Sequence, residues 1–368
     1  MRIGVDIRSL LEPYPSGVAY YTKNLLDKLL EIDQKNQYLL FYNSYQPDNL
    51  KLVEELKKYS NVRVKSFSYP NKIFNSLLFF LHWPKIDKLL GGVDIFFAPN
   101  LQFLALSKKC KKIVTIHDLS FERYPQFLSL KRKLWHKIIN PKKFISAAHS
   151  IIAVSHNTKR DLIDLYRINP EKINVIHSGV STNNVSDEKR QLPDKYILTV
   201  STLEPRKNLE GLIAAFQELI KKDQFKDYYL LIAGPQGWKA EHLYHLAPDN
   251  KQIKFLGFVS DAEKAQLYKN ARVFVYPSFY EGFGFPPLEA IARGSPVIVS
   301  MNSSLPEILA DAALYINPYN ILEIANVLEK VLTNEDLRRQ LIEAGQKQVQ
   351  KFSWQKAAQE TLQVFQQS

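Results

Sequence analysis

Short apolar runs alternate with helix-length amphipathic stretches from one end of the chain to the other. Ile3–Ile7 reads as a strand and leads into a helical pattern over Val18–Ile32. Tyr38–Tyr42, the stretch Asn49–Tyr59 and Val62–Val64 follow. Val93–Phe97 and Ile113–Ile116 are continuous apolar runs, Leu130–Ala148 has helical spacing, and Ile151–Val154 is again strand-like. Asn157–Tyr166 reads as a helix capped by the Ser155 hydroxyl, and Ile173–Ile176 ends the series. Strands that are apolar at every position are buried on both faces. Alternation with helices makes them the βαβ units of a parallel sheet.

The polar stretch Ser178–Asp194 interrupts this pattern, and the alternation then restarts at Tyr196–Val200. Helix Leu209–Lys221, strands Tyr229–Ala233 and Ile253–Leu256, helix Ala262–Asn270 and strand Val273–Tyr276 come next. A helix near Pro287–Arg293, strands Pro296–Ser300 and Ala313–Ile316, and helical patterns Ile321–Leu332, Glu335–Lys351 and Trp354–Phe365 complete the chain. With 368 residues there is too much sequence for one ordinary core at roughly 100–200 residues per domain. The expected division is a Rossmann-like domain over 1–178, a linker over 179–194 and a second Rossmann-like domain over 195–353. A terminal helix over 354–368 is expected to pack back on the first domain. Two doubly wound sheets then face each other across a cleft. Such folds bind ligands outside the carboxyl ends of their strands. Weight therefore falls on Ser16-Gly17, His117-Asp118, Glu204–Asn208, Gly234–Trp238 and Tyr280–Glu289.

Composition narrows the class. At 45% hydrophobic and 23% charged, the chain is globular rather than disordered or fibrous. A single cysteine, Cys110, allows neither an internal disulfide framework nor a cysteine-built zinc site. Met1-Arg2 runs directly into a strand rather than a signal peptide, and the apolar runs Ile73–Pro84 and Ile95–Ser107 fall short of the ~20 residues a spanning helix needs. A cytoplasmic, soluble protein is expected. Net charge is 49 − 37 = +12, and Lys108–Lys143 alone holds eleven Lys/Arg against Asp118 and Glu122, or +9. That excess is compatible with a solvated face, a phosphorylated ligand, nucleic acid or an anionic membrane surface. Lys131, Arg132, Lys133 and Lys137 interleave with Trp135 and Ile138, ahead of Ile139 and Phe144, as in an amphipathic helix on lipid headgroups. No nucleic-acid module accompanies them.

Several chemistries lack their motifs. The sequence has no phosphate loop of the G-x-x-x-x-G-K-[ST] type and no G-x-G-x-x-G after the first strand. It has no G-x-S-x-G and no Asp-x-Asp pair. Glu241-His242 with His245 does not have H-E-x-x-H spacing. What remains is Tyr280-Glu281-Gly282-Phe283-Gly284-Phe285-Pro286-Pro287-Leu288-Glu289 after the strand Val273–Tyr276. Its glycines let backbone amides approach a ligand, and the prolines suit a first helical turn. Two carboxylates at an anion-binding helix start make sense for a ligand offering hydroxyls as well as phosphate, such as a sugar nucleotide. Arg206-Lys207 at another strand end forms a cation pair suited to phosphate.

E-x7-E, embedded as E-G-F-G-x-P-x-L-E-A, resembles the signature of the retaining GT-B glycosyltransferases of family 4. Ser201-Thr202-Leu203-Glu204-Pro205-Arg206-Lys207-Asn208, His117-Asp118 and the Ser16–Thr22 glycine loop are similar to further family segments, with Ala19 and Tyr20 where the family usually has Gly and Arg. The resemblance covers nearly the whole chain. It implies two Rossmann-like domains and transfer of a hexose from a nucleotide sugar, without a metal or other cofactor. Arg206 and Lys207 would bind the donor diphosphate. Glu281 and the amides of Phe283, Gly284 and Phe285 would hold the sugar, and Leu288 and Glu289 would sit at the nucleoside, Glu289 on its ribose. The amides of the Gly17 loop would contact the donor phosphate or the acceptor, Gly234 would lie on the donor-binding glycine loop after the second strand of its domain, and Gly257 and Phe258 would lie at the nucleobase. His117, with Asp118, would face the reacting carbon. Ser303-Ser304-Leu305 reads as a capped helix start with a structural role. Within the family the chain looks most like bacterial mannosyltransferases of O-antigen and exopolysaccharide assembly. This implies GDP-mannose as donor, with UDP-sugars the open alternative, and a glycan or polyprenyl-linked acceptor at the inner membrane face. An epimerase or phosphorylase on the same fold, or a nucleic-acid binder, are the competing classes.

Overall fold

The computed structural model describes residues 1–12, 16–45, 47, 50–181, 191–246 and 251–368. The chain divides into two compact units. One comprises Met1–Glu122, Leu130–Gly179 and Ser353–Ser368, the other Arg123–Ser129 and Val180–Phe352. Most of the linker expected at 179–194 lies outside the described residues.

The first unit holds a seven-stranded sheet. Its strands are β1 (Arg2–Asp6), β2 (Gln37–Asn43), β3 (Val62–Phe67), β4 (Ile95–Ala98), β5 (Lys111–Ile116), β6 (Ser150–Ala153) and β7 (Ile173–Val175). Their order is β3-β2-β1-β4-β5-β6-β7, with every neighbour parallel. The second unit holds β8 (Tyr196–Val200), β9 (Tyr229–Ala233), β10 (Ile253–Gly257), β11 (Val273–Tyr276), β12 (Val297–Ser300) and β13 (Leu314–Ile316). Here the order is β10-β9-β8-β11-β12-β13, again all parallel. The direction of winding reverses between β1 and β4 and between β8 and β11. Those two points, at the strands' carboxyl ends, are where doubly wound sheets bind ligands.

The apolar strands explain the burial. β4, β11 and β12 are buried at every position, as sheets covered on both faces require. In the second unit Leu212, Phe216, Leu230, Ile232, Val275, Ile298 and Leu328 share one core. The first unit has one core around Val114, Ile116, Ile151 and Leu162 and another around Phe41, Phe74 and Phe96. Helix Trp354–Gln367 belongs to the first unit, where it packs along helix Gly17–Ile32. Trp354 meets the rings of Tyr20 and Tyr21, and Phe365 meets Phe97.

Two helices depart from the apolar spacing. The pattern over Leu130–Ala148 is split into Leu130–Ile139 and Pro141–Ser146. Asn140 turns left-handed between them, and its side chain accepts from the Lys143 amide. Pro141 cannot continue the first helix because it has no N–H, and it suits the first position of the second. The stretch Asn49–Tyr59 contains only the short helix Lys51–Leu56, and Asn49 lies outside the described residues. Helix His156–Tyr166 does start on Ser155, whose hydroxyl accepts from the Thr158 amide.

Gly179 approaches the start of the terminal helix so closely that a Cβ there would lie 2.2 Å from Trp354 N and 2.7 Å from Ser353 C. Both are backbone atoms and cannot swing aside. Gly179→Ala is expected to destabilise the protein by about 3 kcal/mol, read as a lower denaturation midpoint in urea. An unchanged midpoint would show that this contact yields freely.

Candidate active site

In the second unit, the carboxyl ends of β8 and β11 lie side by side at the switch point. The segment after β8 forms a short turn, Pro205–Lys207, and places Arg206 and Lys207 there. The segment after β11 brings Glu281 to the same spot. Lys207 Nζ donates to Glu281 Oε1 at 2.7 Å and to the Tyr276 hydroxyl at 2.7 Å. Arg206 Nη1 lies 3.2 Å from Glu281 Oε2 and donates to the Tyr280 carbonyl at 2.6 Å. Its other nitrogens donate to Glu204. Lys207 and Glu281 are both buried.

Burial alone would raise the Glu281 carboxyl. Arg206 and Lys207 outweigh it and hold the group at about 2, well below its ordinary 4.5. Burial and the Arg206 charge push the Lys207 ammonium down, against Glu281 and Glu204. The four charges balance, so the cluster is a neutral pair of ion pairs, with Lys207–Glu281 buried and Arg206–Glu204 at its partly exposed edge.

The loop that carries Glu281 is pinned from behind. Ser303 Oγ accepts from the Glu281 amide at 2.9 Å. Ser304 Oγ lies 3.0 Å from the carbonyls of both Glu281 and Phe283 and shares its proton between them. Gly284 then turns left-handed at φ +103°, where a Cβ would strike Leu305 at 2.8 Å, and helix Phe285–Ala292 begins. Pro286 and Pro287 fill its first turn and lack N–H groups. Amide donors at this mouth therefore come from the residues ahead of the prolines, not from the turn itself.

Two families match end to end: residues 15–184 match Glycosyltransferase Family 4, and residues 181–348 match glycosyl transferases group 1. The chain belongs to glycosyltransferase family 4. The transferase is 28% identical to the O-antigen chain mannosyltransferase B of Escherichia coli over 96% of both chains. It is 31% identical to the serotype-specific mannosyltransferase WbdA of Escherichia coli over 69% of its own length, which is 33% of that protein. Among solved structures, sucrose-phosphate synthase from Thermosynechococcus elongatus superposes with TM-score 0.75 at 19% identity, covering 100% of this chain and 98% of that one. Anabaena Alr3699/HepE, solved in complex with UDP-glucose, superposes with TM-score 0.73 at 17% identity over 100% of both. These two share the GT-B fold with the transferase.

Glu289, on the helix after the loop, is buried and accepts from the Tyr268 hydroxyl at 3.1 Å, with Lys264 Nζ at 3.9 Å. Gly234, at the end of β9, has φ +138°, and a Cβ there would lie 1.9 Å from the Ser201 carbonyl oxygen. Its amide donates to the Gly257 carbonyl at 2.8 Å, so the glycine loops after β9 and β10 are tied together. Phe258, just beyond, is half exposed. Phe283 and Phe285 have ring centroids 5.1 Å apart, and Phe283 also meets Phe352. Leu288 is completely buried, and its amide bonds to the Gly284 carbonyl. Its side chain packs in the interior behind the loop.

In the first unit, His117 follows β5 and is half-buried. Its Nε2 lies 2.8 Å from the Pro99 carbonyl, which follows β4. A carbonyl only accepts, so Nε2 carries the proton and Nδ1 is left as an acceptor. Burial pushes the imidazole's pKa down, against that carbonyl and Asp118, and the ring is neutral at neutral pH. The Tyr21 ring stands edge-on to it at 4.8 Å, and Thr158 Oγ1 donates to its carbonyl at 3.2 Å. Asp118 accepts from the Ser120 amide and hydroxyl and starts the short helix Ser120–Arg123. It shapes the turn that presents His117. Gly17 is the first residue of its helix, with Ser16 as cap, and residues 13–15 lie outside the described residues.

Lys131, Arg132, Lys133 and Lys137 are exposed on helix Leu130–Ile139. Trp135 is turned partly inward, with its ring centroid 6.1 Å from that of Phe103, so it anchors the helix rather than presenting itself to a surface. Sequence reading missed Ser303, Ser304 and Tyr276. The sequence context of Ser303 and Ser304 predicts a capped helix start, but the Ser304 side chain makes no cap bond to that helix. Only the pairing of β12 beside β11 shows that the segment after β12 lies under the Glu281 loop.

Two outcomes follow for stability. Lys207→Ala leaves Glu281 buried with one cation and is expected to cost about 3 kcal/mol at pH 7, read in urea. Glu281 has a depressed folded pKa, so its contribution is full above 4.5 and is lost as pH falls towards 2. The stability gap between the wild type and Glu281→Gln should therefore be about 3 kcal/mol at pH 7, shrink below pH 4.5 and close only as pH falls to about 2. A gap independent of pH would show that the carboxylate gains nothing from the two cations.

Proposed function

We propose that the transferase moves mannose from GDP-mannose to a hydroxyl of a glycan or polyprenyl-linked acceptor in cell-surface polysaccharide synthesis, with retention of configuration. The observation that carries this reading is the Arg206–Lys207–Glu281 cluster at the switch point of the second sheet, in a chain similar to an O-antigen chain mannosyltransferase and a serotype-specific mannosyltransferase. The bond from the anomeric carbon to the diphosphate breaks, and its electron pair leaves on the diphosphate oxygen. Arg206 and Lys207 meet that charge, together with the amides of Phe283, Gly284 and Phe285. Their present partners are Glu204 and Glu281, so donor binding shares the cations rather than recruiting new ones.

The sugar becomes oxocarbenium-like, and the acceptor oxygen bonds to the same face of the carbon that the leaving group quits. The acceptor proton passes to the departing phosphate. Glu281 accepts from sugar hydroxyls and Glu289 from the ribose, with the Gly257–Phe258 segment at the nucleobase. His117 offers Nδ1 to a sugar hydroxyl as a neutral acceptor. The Arg206 and Lys207 charges supply the stabilisation that a divalent cation gives in other transferases. A lipid-linked acceptor places the enzyme at the inner face of the plasma membrane as a peripheral protein. No helix among the described residues is long and apolar enough to cross it.

Incubation with GDP-, UDP- and ADP-sugars and a short glycan acceptor, followed by product analysis, tests the reading. GDP and an α-mannoside are expected. Glu281→Ala should lower kcat/KM by at least about 100-fold, about 3 kcal/mol of transition-state stabilisation. Near-normal turnover in this variant, or a β-linked product, would overturn the mechanism.

A further inference from the structure

The first unit carries apolar side chains that its own core does not cover. Helix Asn71–Phe80 buries Phe74 and Leu78 and turns Ile73 outward. At its end Phe80, Leu81 and Trp83 are 74%, 66% and 60% exposed. Helix Leu130–Ile139 does the same along one stripe. It is held to the unit by Trp135 on Phe103, His136 stacked on Phe121, and buried Ile139. Leu130, Leu134 and Ile138, spaced by four and so on one face, point to solvent. The two features belong to one face of the unit. Phe103 touches Phe79 at 5.9 Å and Trp135 at 6.1 Å, joining the end of the first helix to the second.

Charge identifies what covers this face. Between Glu55 and Asp87 the chain has six Lys/Arg and no acid, and helix Leu130–Ile139 has four and no acid. By helical projection Lys131 lies on one side of the leucine stripe and Lys133 and Lys137 on the other. Cationic side chains flanking exposed leucines, beside a Phe-Leu-His-Trp tip, match an anionic lipid surface. The lysines reach phosphates, and the apolar stripe and aromatic tip enter the headgroup boundary. A nucleic acid would use the cations and leave Leu130, Leu134 and Phe80 in water.

We infer that helix Leu130–Ile139 and the Phe80–Trp83 tip form a two-point docking face for an anionic phospholipid bilayer, with the tip as the inserting element. This rests on the proposed membrane-associated acceptor and specifies how the protein would reach it.

The full-length chain is sedimented with phosphatidylcholine vesicles, with and without phosphatidylglycerol, at low and high salt and without donor or acceptor. Binding is expected only with phosphatidylglycerol and to weaken with salt. The triple variant Lys131→Gln, Lys133→Gln, Lys137→Gln should lose about 100-fold in partitioning, at about 1 kcal/mol per lysine. Thermal melting checks that it is folded. Brominated lipid should quench the part of the fluorescence that Trp83→Phe removes. Equal binding by wild type and the triple variant, unquenched Trp83 emission, or tighter binding to an oligonucleotide than to vesicles would each overturn the inference. Because no sugar is present, a chain that transfers mannose yet ignores vesicles refutes the docking face alone. One that binds vesicles but transfers nothing refutes the reaction alone.

Discussion

Everything in the second unit's site depends on a carboxylate kept ionised away from water. Glu281 is buried, and a buried lone carboxylate would take up a proton. It stays charged because Lys207 and Arg206 arrive from the neighbouring strand end. That arrival is a property of sheet topology. β8 and β11 are distant in sequence but adjacent in the sheet, and only at such a reversal do two loops open side by side at the strand ends. The ion cluster, the tethered loop and the left-handed turn at Gly284 are consequences of that one adjacency.

Neutrality has a functional meaning. A site with two unopposed cations would hold any phosphate strongly, product included. Here each cation already has an acid partner, and burial weakens the ammonium's hold on its proton. On the proposed mode of donor binding, a diphosphate would gain only the difference between its own contacts and those of the carboxylates. Interactions of this kind discriminate by geometry more than by charge.

Much of this was legible in the chain. Runs such as Val273–Tyr276 and Ile113–Ile116 have no polar position to face water, so the parallel sheets followed from patterning alone. Glycines and prolines marked the Glu281 loop because few other residues allow that backbone. The breaks came where long-range or polar detail decides. Asn140 and Pro141 divide a stretch whose apolar spacing runs on unbroken, since spacing does not register a missing N–H. Ser303 and Ser304 looked like an ordinary cap because their partners lie over twenty residues away in the chain. Trp135, by its basic neighbours, looks like a surface anchor, yet its ring packs against Phe103, and the exposed apolar positions of that helix are Leu130 and Leu134.

The paired prolines at the head of helix Phe285–Ala292 carry one more consequence. A helix start ordinarily presents a ring of donors to whatever approaches along its axis. Here two pyrrolidine rings occupy that approach, and the donors that remain are gathered on the Gly284 side. The partial positive charge of the helix persists, but its reach is lopsided. An oxygen approaching along that axis can be gripped on one flank only.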